Sequence, residues 1–458
     1  MKTHSLICRL GGTDNQVVQL ERPGSIATVI QFIEGDKRLS FGIDQALVQL
    51  ANLGMAPSET SIDLAIVAAL VTAADTRISR LNNSQNAWTR EIDLYIPVAD
   101  SVKWSQLAQH LVATLNFLTG DRWRFFFRPR PAKIKALAPV LNKLRTAHPS
   151  CVCLFSGGLD SFVGAIDLIA EGEEPLLVSH YWDSNSTSPY QNQCLKALKK
   201  QFPDVHLNQV QARIGFPKGT VNGSTGEDTL RGRSFLFFAL AALTADATGE
   251  RMEIHVPENG LISLNVPLDP TRLGALSTRT THPFYMARVN ELFDGLGLAT
   301  ALYNRYAHRT KGQMAAECKV PIFLRDSAHL TMSCSSPGKA RFARDADNRE
   351  PKHCGYCVPC IIRRAAISDG CAPDKTRYLI QDLHAQILDT TEVKGQHVRS
   401  FQMALSRLKS MPGQSRFDIH RPGPLTDHPN DWDKYERVFI EGLEEVQKYL
   451  AGVEARPI

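Results

Sequence analysis

The stretch Val152-Cys153-Leu154-Phe155-Ser156-Gly157-Gly158-Leu159-Asp160-Ser161 decides how this chain is read. A short apolar run, the pattern of a buried strand, ends in Ser-Gly-Gly-x-Asp-Ser. Phe162, Ala165, Ile166 and Ile169 then recur at helical spacing. Strand, glycine-rich turn and helix N-terminus, in that order, offer backbone N–H groups and the positive end of a helix dipole to a phosphate. Gly157 and Gly158 let the main chain approach an anion with no Cβ in the way. Ser156 and Ser161 add hydroxyl donors, and Asp160 supplies a hard oxygen ligand for Mg²⁺. No Gly-Lys-Ser/Thr follows at the required spacing, so this is not a P-loop. A turn that merely joined strand to helix would leave Asp160 and both serines without a packing reason.

Working outward, the same alternation continues. Leu176-Leu177-Val178-Ser179-His180-Tyr181 is a second buried strand, residues 191–201 a second helix, 205–210 a third strand, 234–245 an apolar helix, and Met252-Glu253-Ile254-His255-Val256 a further strand. Such alternation implies an α/β fold with a parallel sheet covered on both faces, and ligands bound outside the strand C-termini. Arg231 and Arg233, just ahead of the apolar helix, are candidates to clamp phosphate; a solvated helix start is the plainer alternative. Glu258, in Glu258-Asn259-Gly260 directly after a strand, is a candidate to accept from a purine-like amino group or to bind Mg²⁺; a turn carboxylate bonded to local N–H groups is the other reading. Residues 277–282, rich in hydroxyls and carrying Arg279, read as a polar loop over the substrate.

Residues 1–130 read as a separate α+β accessory unit. Ser5 to Leu10, Gly11-Gly12 and Val17 to Leu20 suggest strand, turn and strand; 62–80 is a long apolar helix behind Ser58-x-x-Ser61; and 91–97 alternates as a half-buried strand. Trp104, Leu107, Leu111, Leu115 and Leu118 mark one helix face. Arg122-Trp123-Arg124-Phe125-Phe126-Phe127-Arg128 reads as a strand with its arginines toward solvent. Residues 151–373 form the catalytic unit and 374–458 a mostly helical extension, in which Phe439, Leu443, Val446 and Leu450 share a face.

A chain of 458 residues supports two or three units with a large core. Hydrophobic and charged fractions of 43% and 22% are those of an ordinary globular protein. The net charge of +5 is too small, spread over this surface, to signal nucleic-acid binding. No leader-like segment or membrane-length apolar run is seen, so a cytoplasmic protein is expected. There the ten cysteines are thiols or metal ligands rather than disulfides. Cys354-Gly355-Tyr356-Cys357-Val358-Pro359-Cys360 places three thiols at two successive C-x-x-C spacings, and Cys334 lies upstream within reach of one loop. Four thiolates suit structural Zn²⁺. An iron–sulfur cluster shares the ligand count but finds no electron-transfer chemistry elsewhere. Cys318 and Cys371 are spare candidates for the fourth ligand, and Cys8, Cys151, Cys153 and Cys194 read as small buried hydrophobes.

The glycine loop resembles the pyrophosphate-binding loop of the PP-loop ATPases, which have an HUP-like sheet and cleave ATP to AMP and pyrophosphate. Together with Cys-Gly-x-Cys-x-x-Cys, it makes residues 151–373 similar to the 7-cyano-7-deazaguanine synthase (QueC) family. That resemblance implies adenylation of a deazapurine carboxylate by ATP, attack by a nitrogen nucleophile, and a four-cysteine zinc site beside the active site. It assigns Ser156, Gly157, Gly158, Leu159, Asp160 and Ser161 to the nucleotide. On the reading of the residues themselves, Asp160, Ser161, Arg231, Arg233 and Glu258 fall to catalysis, and Cys334, Cys354, Cys357 and Cys360 to zinc.

The chain departs from that enzyme in being about twice as long and in carrying a basic insert at 339–349. Residues 256–268 and 276–283, with the long flanks, resemble instead the QueC-like proteins of Qat anti-phage defence systems. This implies partner proteins from the same system and leaves the acyl acceptor open. Two other readings stand beside it. A tRNA sulfurtransferase needs a reactive cysteine and a basic RNA face; a non-catalytic scaffold would use the nucleotide only as a switch.

Overall fold

A computed structural model of the chain describes residues 2–35, 38–85, 87–181, 187–227, 229–270, 279–342 and 349–458. The N-terminal part contains β1 (Thr3–Arg9), β2 (Ile26–Gln31), a two-stranded ribbon of β3 (Ile33–Glu34) and β4 (Arg38–Leu39), then α1 (Ile43–Asn52), α2 (Glu59–Arg77), α3 (Arg80–Asn83), β5 (Glu91–Val98), α4 (Ser101–Thr119) and β6 (Arg122–Pro129). Its main sheet runs β2-β1-β5-β6 with every neighbouring pair parallel. The expected strand-turn-strand at the start is therefore corrected: residues 17–20 are irregular, and β2 returns parallel to β1. β5 is buried along nearly its whole length rather than on one face, because a central strand of a parallel sheet is covered on both sides. The helix at 59–77 begins where the serines indicate, with the Ser58 hydroxyl accepting from the Ser61 N–H. The arginines of β6 do not simply face water. Arg124 donates to Asp93, with Nε to Oδ1 at 2.8 Å, and Arg128 Nη2 pairs with Asp14 Oδ2 at 2.6 Å.

The second sheet is the one the glycine turn announces. It comprises β7 (Cys151–Leu154), β8 (Pro175–His180), β9 (Gln209–Ala212), β10 (Met252–His255) and β11 (Thr300–Tyr303), ordered β11-β10-β7-β8-β9 and parallel throughout. The crossovers carry α5 (Leu159–Ala170), α6 (Ser188–Gln201), α7 (Arg233–Asp246), the short α8 (Gly260–Leu264) and α9 (Pro283–Leu296). The chain steps outward from β7 to β8 and β9, then returns to the other side of β7 with β10. The loops after β7 and β10 thus diverge at a topological switch point, where sheets of this kind bind ligands.

The two sheets are not separate bodies with separate cores. One contiguous apolar cluster runs from Leu6, Ile66 and Leu94 to Val152, Phe235, Leu240 and Leu302, with α2 packed on α7. Beyond β11 come α10 (Lys311–Ala316), α11 (Pro321–Ser327) and α12 (Val358–Gly370). The chain ends with β12 (Leu388–Asp389), α13 (Val393–Ser410), α14 (Ser415–Asp418), α15 (Trp432–Tyr449) and β13 (Ala455–Arg456). Phe439, Leu443 and Val446 of α15 share a cluster with Leu261 and Ile361, so the last helix covers α8 and α12. Among the described residues no helix is long and apolar enough to cross a membrane.

Candidate active site

The glycine turn opens into a cleft of about 470 Å³ lined by Ser156, Gly158, Leu159, Asp160 and Ser161. Gly157 has φ of +79°, and a Cβ there would stand 3.0 Å from the Gln191 backbone N, so only glycine makes this turn without strain. The turn is held from several sides. Met332 N–H donates to Gly157 O at 2.7 Å, fully buried Gln191 donates from Nε2 to Ser156 O at 3.3 Å, and Leu159 N–H donates to Ser333 Oγ at 3.4 Å. No side chain caps α5 from Gly158, which leaves the first turn of the helix directed at the cleft.

Asp160 and Glu258 meet across the switch point. Gly164 allows it: a Cβ there would lie 2.3 Å from Pro257, so the loop after β10 sits directly on α5. Asn259 N–H and Nδ2 donate to Asp160 Oδ2 at 3.1 and 2.7 Å, and Nδ2 also reaches Glu258 Oε1 at 3.1 Å, so one amide group joins the two carboxyl groups. Lys311 Nζ lies 2.7 Å from Asp160 Oδ1, both side chains being only 7% exposed. Burial pulls Asp160 up, but the Lys311 ammonium and the surrounding donors outweigh it and hold Asp160 at about 2. Burial and the neighbouring Asp160 charge push Glu258 well above the usual carboxylate range. One proton therefore stays on the pair, on Glu258.

Arg233, first residue of α7, lines the same cleft and has no ion-pair partner among the described residues; burial lowers its pKa. Arg231 does not join it. Its guanidinium lies 4.4 Å from the Trp88 ring and donates to Thr119 O at 3.1 Å, because the chain ahead of α7 is laid against α4 rather than the cleft. The hydroxyl-rich loop is corrected in part as well. Residues 277 and 278 lie outside the described residues, Thr280 lines the cleft, and Arg279 turns away to donate to Phe117 O at 2.7 Å. Of the basic insert, residues 343–348 are likewise outside.

Cys334, Cys354, Cys357 and Cys360 come together, with all four Sγ atoms within 4.8 Å of one another. Cys334 to Cys357 and Cys354 to Cys360 are both 3.9 Å. A tetrahedral Zn²⁺ with Zn–S of about 2.3 Å has S···S edges of about 3.8 Å, so these two pairs have the spacing of a zinc site and the group as a whole lies close to it. Backbone N–H groups of Ser336, Cys354 and Cys357 point at the sulfurs at 3.3 to 3.4 Å, as thiolate ligands require. Cys334 lines the cleft, while Cys354 and Cys357 border a second cavity of about 850 Å³. Cys318 and Cys371 stand apart, and burial raises their thiols to about 12 and 11. Cys151 and Cys194 are likewise raised to about 12 by burial.

Lys311 escaped the sequence reading. Its signal is local: Thr310-Lys311-Gly312-Gln313 is a capping box, with Thr310 Oγ1 and Gln313 exchanging bonds with each other's backbone, and the lysine is the first residue inside it. Nothing in that pattern says that the helix start faces Asp160.

A parallel sheet whose switch point holds a glycine turn, with a four-cysteine group at the rim, has the architecture of the PP-loop fold. No family model matches the chain. It is similar to a 7-cyano-7-deazaguanine synthase of Saccharolobus solfataricus, 24% identical over 303 residues, a match spanning 59% of this chain and 59% of that protein. The similarity supports the QueC-like resemblance carried by the two motifs. The equal shares also make that relative about as long as this chain, which corrects the expectation that length sets the chain apart.

Proposed function

We propose that the chain is a QueC-type ATP-dependent carbon–nitrogen ligase. The observation that carries this reading is the convergence of the uncapped glycine turn, Asp160, Glu258, Lys311 and Arg233 on one cleft beside four clustered cysteines. ATP lies with its triphosphate on the amides of 157–161 and the Ser156 and Ser161 hydroxyls. An oxygen of a deazapurine-like carboxylate attacks the α-phosphorus, the bond to the β-phosphate oxygen breaks, and pyrophosphate leaves against Arg233 and Lys311. An amine then attacks the acyl carbon, loses a proton, and AMP departs. Positioning and charge neutralisation supply the rate, with no covalent enzyme intermediate. Mg²⁺ carried in on the triphosphate would neutralise phosphate charge; Asp160 fits it only when Lys311 gives up Oδ1. The cysteine group would hold Zn²⁺ as a structural ion bracing the cleft wall.

In this reading the acceptor is an amine on a partner protein of a Qat anti-phage system. The segments 256–268 and 276–283 support it. The sulfurtransferase alternative is disfavoured because Cys334, the one cysteine lining the cleft, belongs to the metal group, and those outside that group are buried or, like half-buried Cys371, away from the cleft. The test is to incubate the protein with ATP, 7-carboxy-7-deazaguanine and its operon partners, following AMP release and partner mass together. AMP release that disappears in Asp160→Ala supports the scheme. ADP as product refutes it, and ATP binding without turnover in the complete mixture points to the scaffold.

A further inference from the structure

Both cleft cations, Arg233 and Lys311, are the first residues of their helices, and each helix start is gripped by a carboxylate from a flanking part of the chain. From the N-terminal side, Asp75 of α2 accepts the Gly232 N–H on Oδ2 at 2.8 Å, immediately before Arg233. Asp75 does not float. Its other oxygen takes Arg90 Nη2 at 2.8 Å, Arg90 reaches Asp121 at 2.6 Å, and Arg80 closes on Asp121 at 2.7 Å, all of these groups buried. The approach to α7 is fixed to the same unit, with Arg80 N–H donating to Glu227 at 2.7 Å and Glu227 N–H to Thr76 O at 3.0 Å. From the C-terminal side, buried Glu445 of α15 accepts the Gly312 N–H at 3.2 Å and the Thr310 hydroxyl, on either side of Lys311.

We infer that Asp75 and Glu445 are positioning residues through which the two flanking units set Arg233 and Lys311 against the bound triphosphate. The inference rests on the nucleotide reading of the cleft. A carboxylate on a helix N-terminus fixes the helix along its axis and costs little to bury where N–H donors and guanidinium groups satisfy it. Each flank thus reaches the chemistry at second hand, by aiming a cation it does not itself carry.

The test measures Mg-ATP affinity by calorimetry for Asp75→Asn and Glu445→Gln, alone and in the Arg233→Ala and Lys311→Ala backgrounds, with thermal unfolding as the check on folding. Each single change is expected to weaken Mg-ATP about tenfold, the scale of one charge-assisted contact. Asp75→Asn should have no further effect once Arg233 is alanine but keep its full effect with Lys311→Ala, and Glu445→Gln should show the reverse. Equal losses in every background would mean general loosening and overturn the inference, as would unchanged affinity in both single variants. If Asp75→Asn does not fold, Gly232→Ala replaces it, since the added Cβ stands 3.3 Å from Asp75 Oδ2 and shifts the same contact. Wild type that binds no Mg-ATP would instead sink the reading of the cleft itself.

Discussion

Replacing Glu258 with glutamine tests the shared proton between Glu258 and Asp160 without touching the shape of the site. In the folded chain Glu258 keeps its proton far above its ordinary value of 4.5, through burial and the Asp160 charge. In the unfolded chain it ionises near 4.5, so the unfolded state binds one proton fewer across neutral pH. Stability therefore falls as pH rises, by about 1.4 kcal/mol per pH unit for one proton, from 4.5 until the folded carboxyl itself ionises. Asp160, depressed to about 2, contributes the opposite slope only between its ordinary 3.8 and that value, outside the window. The glutamine carbonyl can accept from Asn259 Nδ2 as the Glu258 carboxyl does, but the amide cannot titrate. Urea unfolding of both proteins at a series of pH values from about 5.5 upward should show Glu258→Gln gaining on wild type by about 1.4 kcal/mol per pH unit while the folded carboxyl keeps its proton, other titrations cancelling in the difference. Parallel stability curves over that range would refute a proton held on Glu258.

Two further outcomes follow from the same geometry. Cys357→Ser should release zinc, measured by elemental analysis of the purified protein, and loosen α12, which begins at the next residue; wild type containing neither zinc nor iron would count against the site. Gly157→Ala should destabilise the protein by about 1–2 kcal/mol for the left-handed backbone. It should also weaken Mg-ATP, because the new methyl group meets the Gln191 backbone; an affinity equal to wild type would show that the turn does not carry the phosphates.

The second sheet was legible in β7, β8 and β10, strands between helix-patterned segments, and the glycine turn fixed which end mattered; the third strand lies at Gln209–Ala212 rather than 205–210 because its Gln-Val-Gln-Ala is no apolar run, and β11 went unread. The cysteine group was legible because its spacing is itself a geometry. What escaped were contacts between distant parts of the chain. The residues 17–20 look as apolar as 26–31, and only pairing with β1 distinguishes them. Arg231 and Arg233 are two residues apart in one basic run, yet a helix begins between them and sends them to opposite neighbours. Lys311 reads as an ordinary helix residue until α10 is placed against α5. Nor does any local pattern reveal that β6 arginines answer Asp93 and Asp14, carboxylates supplied by strand β5 and by the loop after β1.

The continuous apolar interior joining α2 to α7 bears on how such a molecule can be divided. A fragment cut after residue 130, or begun at 151, would lay bare the alanine, isoleucine, leucine and valine side chains of α2 on one half and the phenylalanine, leucine and alanine side chains of α7 on the other, and neither piece would dissolve as a tidy module. Deletions at that seam should therefore cost stability, whereas exchange of the polar loops at the rim should leave the scaffold whole. Variation among descendants of this chain should accordingly gather around the mouth of the cleft and spare the joint behind it.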